Sequence, residues 1–281
     1  MKSAIHTRFG NPAEVLEIAE RPLPEPAAGQ VRIRMTLASI HNHDLLTVSG
    51  QYGYKPDLPA IAGSEAAGTI DALGEGVTGF ALGQRVAASG VHGAWAEYFL
   101  ADAASLVPLP PSIDDETAAQ LISMPLSGLV LLEFLGVKEG QWLIQNAATG
   151  AVAKVLAMIA ETRGIHVVNL VRREAAVAEL AALGIGNVVS TDADDWREKV
   201  KGLTGGAPIM AAVDGVGGAG AADLAALLGE GATFVSFGAM SGQLLQLSPA
   251  DLIFKQIVVK GFWLARIMQT TPRDTIGRWM T

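Results

Sequence analysis

A short turn of small residues, lying between an apolar strand and an apolar helix, is where this chain could hold a phosphate group. The pattern begins with Gln141–Ile144, passes through Asn146–Gly150 and continues as the apolar run Val152–Ile159. A second apolar strand, Ile165–Val171, follows directly. In such a βαβ unit the backbone N–H groups of the turn and the positive end of the helix dipole attract a pyrophosphate. We therefore predict a dinucleotide-binding site at this turn.

Two arginines at the end of the second strand indicate which dinucleotide binds. A site for NAD usually has an acidic residue about 20 residues after the turn, where it binds the ribose 2′-hydroxyl. This chain has Arg172 and Arg173 there instead, and guanidinium groups bind a 2′-phosphate through paired hydrogen bonds. The sequence therefore predicts NADPH, with the alternative that both arginines are solvated residues beyond a strand.

The turn departs from the glycine pattern that is common in dinucleotide sites. That pattern is G-x-G-x-x-G, whereas Gly150 is followed by Ala151 and Ala153. Alanine can replace glycine where only close packing is needed, but not where the backbone requires a positive φ. The added methyl groups predict weaker contact with the pyrophosphate, so a cofactor-binding protein without catalysis remains an alternative.

The composition excludes several classes of function. The 281 residues include no cysteine, which excludes a disulfide scaffold, a cysteine-ligated metal and a thiol nucleophile. The formal net charge is −8 and no run of basic residues occurs, so nucleic acid is not expected as a partner. No apolar run approaches the ~20 residues of a membrane span, and no signal-peptide pattern is present. We expect a soluble cytoplasmic protein.

The period of the apolar residues changes near residue 120, which predicts two domains. Earlier residues combine β-patterned runs with frequent Pro and Gly. Later residues alternate strands with helical patterns, which predicts an α/β fold with a doubly wound parallel sheet, the Rossmann type. Strands are predicted at 15–18, 30–39, 66–72, 84–88, 141–146, 165–171, 187–190, 209–213, 232–237 and 256–262. Helices are predicted from 114 and at 152–163, 174–183, 194–203 and 219–228.

Several longer stretches resemble the medium-chain dehydrogenase/reductase superfamily. Those similar to the superfamily as a whole are Asp57–Glu65, Gly74–Val77 and Ala94–Tyr98. Within the superfamily the chain resembles the zinc-independent branch, which includes quinone oxidoreductases and 2-enoyl thioester reductases of the mitochondrial type. The stretches similar to the thioester reductases are Ile144–Ala147, Asn169–Arg172, Leu252–Lys255 and Lys260–Leu264, and the last of these is less similar to quinone reductases. The resemblance covers essentially the whole chain. It implies a GroES-like β-rich catalytic domain at 1–115, a Rossmann NADPH-binding domain at 116–265, and at 266–281 the start of a return to the first domain that is short compared with the family.

The resemblance also implies roles for individual residues. Tyr52 takes the place of the proposed proton donor of the enoyl reductases, and Asn42 and Asp44 fall near the residues that shape the active-site floor. Tyr54 is the second candidate for the proton donor because it lies close to Tyr52 in the sequence. The residues expected to contact the cofactor are Asn146, Thr149, Gly150, Ala151, Val152, Arg172, Arg173, Gly215, Gly238, Met240, Phe262 and Trp263.

No metal is expected in this site. The zinc branch of the superfamily uses Cys, His and Glu ligands, and the matching positions here are His41, Ser64 and Glu65, so a serine replaces one ligand. A remaining site that includes His43 or His92 is the alternative. A serine hydrolase is not indicated, because the chain has no G-x-S-x-G elbow.

Together with the dinucleotide pattern, the resemblance implies an NADPH-dependent oxidoreductase that reduces an activated C=C bond, most similar to a trans-2-enoyl thioester reductase. Hydride would reach the β carbon, and a proton from Tyr52 would reach the α carbon. An NADPH:quinone oxidoreductase is the alternative among enzymes. The expected partners are a small enone, enoyl thioester or quinone, and a second copy of the chain. Relatives pair through the last Rossmann strand, here Gln256–Phe262, which implies a homodimer.

Overall fold

The computed structural model describes residues 1–279 and divides between Ser123 and Met124 into two units. The elements of the first unit are β1 (Lys2–His6), α1 (Pro12–Val15), β2 (Leu16–Glu20), β3 (Gln30–Ala38), α2 (Asn42–Ser49), β4 (Ala60–Ile61), β5 (Glu65–Leu73), β6 (Arg85–Ser89), β7 (Tyr98–Asp102), a 3₁₀ turn (Ala103–Ser105), β8 (Val107–Pro108) and α3 (Asp115–Ala118). The next elements are α4 (Ser123–Leu135), β9 (Trp142–Gln145), α5 (Ala151–Thr162), β10 (His166–Val171), α6 (Ala175–Ala181), β11 (Val188–Ser190), α7 (Trp196–Thr204), β12 (Ile209–Asp214), α8 (Gly220–Leu227), β13 (Leu228–Ser236), α9 (Pro249–Phe254), β14 (Val258–Gly261), α10 (Leu264–Thr270) and α11 (Arg273–Trp279).

The first unit is built from antiparallel strands. They form a three-stranded sheet in the order β2-β1-β4 and a five-stranded sheet in the order β7-β3-β5-β6-β8. Residues on one face of β3, such as Val31 and Ile33, are buried, whereas the intervening Arg32 and Arg34 are not. This alternation is the period of a strand with one apolar face. The apolar side chains on this face of the larger sheet pack together in one core.

The second unit contains one parallel sheet of six strands in the order β11-β10-β9-β12-β13-β14. Neighbouring residues of β9 enter different cores, because Leu143 packs with α4 and α5 while Ile144 packs with α7 and α8. Helices therefore cover both faces of the sheet. The strand order reverses at β9, and in such sheets ligands bind at the carboxyl ends of the strands near that reversal.

The helix α5 follows this reversal point and is held by its apolar stripe. Val152, Leu156 and Ala160 are buried at intervals of four residues and face the sheet, which is the spacing of one helix face. The stripe fixes where the N-terminus of α5 lies relative to β9. Among the described residues, no helix is long and apolar enough to cross a membrane.

The predicted α/β architecture is confirmed, and its differences from the structure are local. Val15, predicted to begin a strand, instead ends α1. The elements that were not predicted are helices α1, α2, α4, α9, α10 and α11 and strands β1, β4, β7 and β8. Of these, α2 begins with polar residues, and α4 is apolar around most of its circumference and so shows no amphipathic period. The three-part division at residues 115 and 265 remains a prediction. Leu264 and Ile267 of α10 pack against the core of the second unit.

Candidate functional site

The turn between β9 and α5 presents a helix N-terminus that no side chain caps. Gly150 is the N-cap residue, its N–H donates to the Ala147 carbonyl at 2.8 Å, and no side-chain hydrogen bond caps it. Ala147 has φ of +50°, a conformation that L residues rarely adopt. The first N–H groups of a helix have no partner within the helix. Because no side chain replaces that partner here, the N-terminus of α5 can receive an anion.

The side chains around this N-terminus differ in burial. Thr149 and Ala151 are exposed, and the side chain of Val152 is buried in the core of the second unit. The Ala153 carbonyl accepts a hydrogen bond of 2.8 Å from the Gln145 side chain. The Ala151 side chain thus lies in solvent, and the Val152 side chain packs in the core.

A buried carboxylate organises the neighbouring loop after β12. Asp214 is completely buried, and its Oδ1 accepts hydrogen bonds from Asn146 Nδ2 at 2.6 Å and from the Val216 N–H at 2.9 Å. The Gly217 N–H donates to the same oxygen at 3.0 Å. Asn146 Oδ1 in turn accepts from the Gly215 N–H at 2.8 Å. Hydrogen bonds therefore join the carboxyl ends of β9 and β12, where the strand order of the sheet reverses.

Gly238 brings a third strand end against this loop. A Cβ built at Gly238 would lie 2.7 Å from the Gly215 carbonyl oxygen, too close for any residue but glycine. Three further residues that were predicted to contact the cofactor differ in how far they are exposed. Met240 is 69% exposed and Trp263 is 39% exposed, whereas Phe262 is buried against Phe134 and Phe237. Met240 and Trp263 thus present apolar surface to solvent, whereas the side chain of Phe262 is part of the core of the second unit.

The two arginines predicted to select the cofactor lie just beyond β10. Arg172 and Arg173 are both exposed. Arg173 forms a pair of 3.4 Å with Glu179, while within residues 1–279 no hydrogen bond or ion pair holds the Arg172 guanidinium. An exposed guanidinium beyond β10 and an uncapped helix N-terminus after β9 are the kinds of group that bind the 2′-phosphate and the pyrophosphate of NADPH. The residues present therefore fit this cofactor.

A second group of polar residues lies in the first unit, around the start of α2. His41 Nε2 lies 2.6 Å from Glu65 Oε2 and 2.7 Å from Ser39 Oγ. Glu65 is completely buried, and its other oxygen accepts the N–H groups of Ile122 at 2.8 Å and Ser123 at 3.0 Å. Burial opposes ionisation of Glu65, but the hydrogen bonds from His41 and these two N–H groups hold its pKa below the ordinary value.

The next residues of α2 extend this group. His43 Nε2 lies 2.7 Å from Ser64 Oγ. Burial lowers the pKa of His43, and nearby His41 acts in the same direction, while Asp44 and Glu65 oppose the shift. Asp44 is itself buried and accepts the His41 N–H at 3.0 Å, so it caps the helix N-terminus.

Of the residues assigned to catalysis from the sequence, Tyr52 and Asp44 lie next to this group. The ring of Tyr52 is half-buried and packs against His43 at a centroid distance of 5.6 Å. Asn42 is the exposed first residue of α2. Tyr54 is 39% exposed and stacks on His92. Among the described residues, no group of three or more His, Asp or Glu side chains is placed to hold a metal ion; the expected absence of a metal stays a prediction.

Two residues of these groups escaped the assignment from sequence. Asp214 was expected at the carboxyl edge of the parallel sheet, where the cofactor is predicted to bind, but no role was assigned to it. Glu65 and His41 were considered together only as metal ligands. The sequence holds a signal for Asp214, because an acidic residue that directly follows a buried strand and precedes Gly215 can bind the N–H groups of the turn. The Glu65 pairing joins residues distant in sequence, and no local pattern reports it.

Both units match known protein families. The alcohol dehydrogenase GroES-like domain matches residues 27–111, and the zinc-binding dehydrogenase family matches residues 151–277. The mitochondrial enoyl-[acyl-carrier-protein] reductase of Arabidopsis thaliana is 32% identical over 270 residues, which cover 94% of this chain and 72% of that protein.

Solved structures add a similarity to quinone oxidoreductases. The quinone oxidoreductase of Pseudomonas syringae superposes with a TM-score of 0.85 at 29% identity, covering 96% of this chain and 83% of that one. The Escherichia coli quinone oxidoreductase complexed with NADPH superposes with a TM-score of 0.87 at 25% identity, covering 100% of this chain and 86% of that one.

Proposed function

Because this chain belongs to the medium-chain dehydrogenase/reductase family, in its zinc-independent branch, we propose that it is an NADPH-dependent reductase of an activated C=C bond. The substrate class we assign is an enoyl thioester. The observation that carries this assignment is the similarity to the enoyl-[acyl-carrier-protein] reductase over 94% of the chain. The cofactor is supported by the exposed Arg172 beyond β10 and by the similar structure complexed with NADPH.

The second unit supplies the residues that hold the cofactor in this proposal. The N–H groups at the start of α5 bind the pyrophosphate, and Arg172 and Arg173 bind the 2′-phosphate. The Asn146–Asp214 pair keeps the adjoining loop in place through the Gly215 N–H. The residues assigned to the remaining contacts are Thr149, Gly150, Ala151, Val152, Gly238, Met240, Phe262 and Trp263.

The first unit supplies the proton in this proposal. When bound, NADPH supplies the hydride that adds to the β carbon of the substrate. The Tyr52 phenol donates its proton to the α carbon, and the resulting phenolate regains a proton from water. We assign Asn42 and Asp44 to the floor beside Tyr52, where Asp44 fixes the start of α2 through the His41 N–H. Hydrogen-bond donors to the substrate carbonyl replace a metal ion in this chemistry.

Turnover with two electron acceptors tests the proposal. NADPH oxidation by the purified chain is measured with crotonyl-CoA and, in parallel, with a simple quinone. We expect turnover with the thioester. Turnover with the quinone alone would instead support an NADPH:quinone oxidoreductase, the alternative that the similarity to quinone oxidoreductase structures favours. Tight NADPH binding without turnover of either acceptor would indicate a cofactor-binding protein without catalysis.

Replacement of the proposed proton donor tests the mechanism. Tyr52→Phe is expected to lower kcat with crotonyl-CoA by about 10²- to 10⁴-fold, because proton donation is lost while NADPH binding is kept. Tyr54→Phe is the matched control, since Tyr54 is exposed and stacks on His92. A loss of turnover in Tyr54→Phe alone would transfer the proton-donating role to Tyr54.

We also propose a homodimer through β14. This strand is at one end of the six-stranded sheet and, among the described residues, pairs only with β13. Its neighbourhood exposes large apolar side chains: Val258 is 47% exposed, Val259 41%, Ile253 58% and Phe254 79%. An unpaired strand edge with apolar side chains is suited to pairing with a second copy of the same strand.

A further inference from the structure

The ring of Tyr52 rests on an imidazole that is itself held in place. The Tyr52 and His43 rings lie 5.6 Å apart between centroids with planes at 31°. His43 Nε2 is 2.7 Å from Ser64 Oγ, and the His43 side chain is 26% exposed. Paired aromatic rings at this separation attract one another. The Tyr52 ring therefore packs against His43.

His43 is fixed from its other side by a second imidazole. The His41 and His43 rings stack at 5.1 Å with planes at 22°. His41 binds the completely buried carboxylate of Glu65 at 2.6 Å, and Glu65 is anchored by the N–H group of Ser123 at 3.0 Å. Direct contacts thus connect the buried carboxylate of Glu65 to His41, His41 to His43, and His43 to Tyr52.

His43 lies among charged and titratable side chains of the first unit. The charged and titratable groups that face it are His41, Asp44, Glu65 and Tyr52. Burial lowers the pKa of His43 below its ordinary value, with His41 acting in the same direction and Asp44 and Glu65 opposing the shift.

We propose that His43 is a positioning residue that fixes the ring of Tyr52 for proton donation, with His41 and Ser64 fixing His43 in turn. This role rests on the proposed function of Tyr52 as proton donor. His43 touches the donor and not the reacting atoms, so it acts through the orientation of Tyr52. Misplacement of a catalytic group by even about 1 Å can cost 10²-fold in rate.

A double-mutant cycle measures this dependence. His43→Ala is expected to lower kcat with crotonyl-CoA by about 10- to 100-fold, with a small change in KM for NADPH. In a Tyr52→Phe background the same substitution is expected to have no further effect, because the donor that His43 orients is gone. His92→Ala is the control, since the His92 imidazole also packs on a tyrosine ring, that of Tyr54, at a centroid distance of 4.6 Å. An equal loss in both backgrounds would overturn the proposal.

A spectroscopic measurement tests whether His43 fixes the Tyr52 ring and does not require enzyme turnover. The chain has three tyrosines, so fluorotyrosine labelling yields three resonances, and Tyr52→Phe identifies the one from Tyr52. His43→Ala is expected to shift and narrow the Tyr52 resonance, because the ring current and packing of the imidazole are lost. The Tyr98 resonance is expected to remain in place and thereby reports that the variant is folded.

A milder variant covers the case in which His43→Ala does not fold. Ser64→Ala keeps both imidazoles but removes the hydroxyl partner of His43, and we expect a smaller shift of the same Tyr52 resonance. An unchanged Tyr52 resonance in either folded variant would exclude the positioning role. If the protein turns over neither acceptor while the resonance shifts, the proposed function fails and the contact between His43 and Tyr52 stands.

Discussion

Glu65 shows how a completely buried carboxylate can stay ionised. Its hydrogen bonds to His41, Ile122 and Ser123 hold its pKa below the ordinary value of 4.5. A lowered pKa in the folded state stabilises the fold above the pKa of the unfolded chain, and this stabilisation is lost as the pH falls through the folded pKa. The pH dependence of unfolding therefore reports the His41–Glu65 pair.

Replacement of Glu65 by its neutral isostere tests this assignment. Glu65→Gln is expected to lower the free energy of unfolding at pH 7 by about 1–3 kcal/mol, because a charge-assisted hydrogen bond is lost. The difference from the unsubstituted protein should shrink below pH 4.5, where the unfolded carboxylate is protonated. Thermal unfolding across this pH range is the measurement, and Glu17→Gln, an exposed position on β2, is the control. A constant difference at all pH values would contradict the prediction.

Arg172 is the residue on which we propose that the choice between NADPH and NADH depends. Its guanidinium is exposed beyond β10. Arg172→Ala is expected to weaken NADPH binding by about tenfold or more, since a hydrogen bond between charged groups contributes about 1.5–3 kcal/mol. NADH affinity should change little because NADH lacks the 2′-phosphate. Fluorescence titration with both cofactors measures the effect, and Arg197→Ala is the control, because Arg197 is engaged with Asp223. Equal weakening of both cofactors would remove Arg172 from cofactor selection.

At the scale of elements, the proposed NADPH site depends on the close approach of the loops that follow β12 and β13. The loop after β13 passes so near the loop after β12 that a Cβ on Gly238 would lie 2.7 Å from the Gly215 oxygen. Gly238→Ala is expected to destabilise the fold by about 1–3 kcal/mol through overpacking and to weaken NADPH binding, as measured by thermal unfolding and titration. Gly202→Ala within α7 is the control, because no atom lies within 4 Å of the added methyl group, and it should be neutral or stabilising. An unaffected Gly238→Ala protein would contradict the close approach.

For the whole molecule, the testable property is the proposed pairing of two copies. Light scattering is expected to give twice the mass of one chain. Val259→Lys is expected to yield a single-chain mass, because a buried charge opposes pairing of the β14 edges. Ile18→Lys is the matched control: Ile18 is 72% exposed on β2, the edge strand of the three-stranded sheet. A single-chain mass for the unsubstituted protein would exclude the homodimer.

Much of the fold could be predicted because it follows local patterns. The apolar runs at 141–146, 165–171 and 209–213 correspond to β9, β10 and β12 within a few residues, since strand and helix periods are properties of neighbouring residues. Helix α4 escaped prediction because burial on nearly all sides removes the amphipathic period. The placement of Arg172 just after β10 was likewise predictable, as it needs only the end of a strand.

The sequence by itself determined the α/β class, the position of the β9–α5 turn and the presence of basic residues beyond β10, because each depends on residues that are close in the chain. Only the tertiary structure decided that Glu65 pairs with His41, that Asp214 ties β9 to β12, and that Tyr52 rests on His43. These contacts join residues brought together by sheet order and helix packing. A hydrogen bond or ring contact over such a separation depends on where whole elements lie, and residue spacing does not encode it.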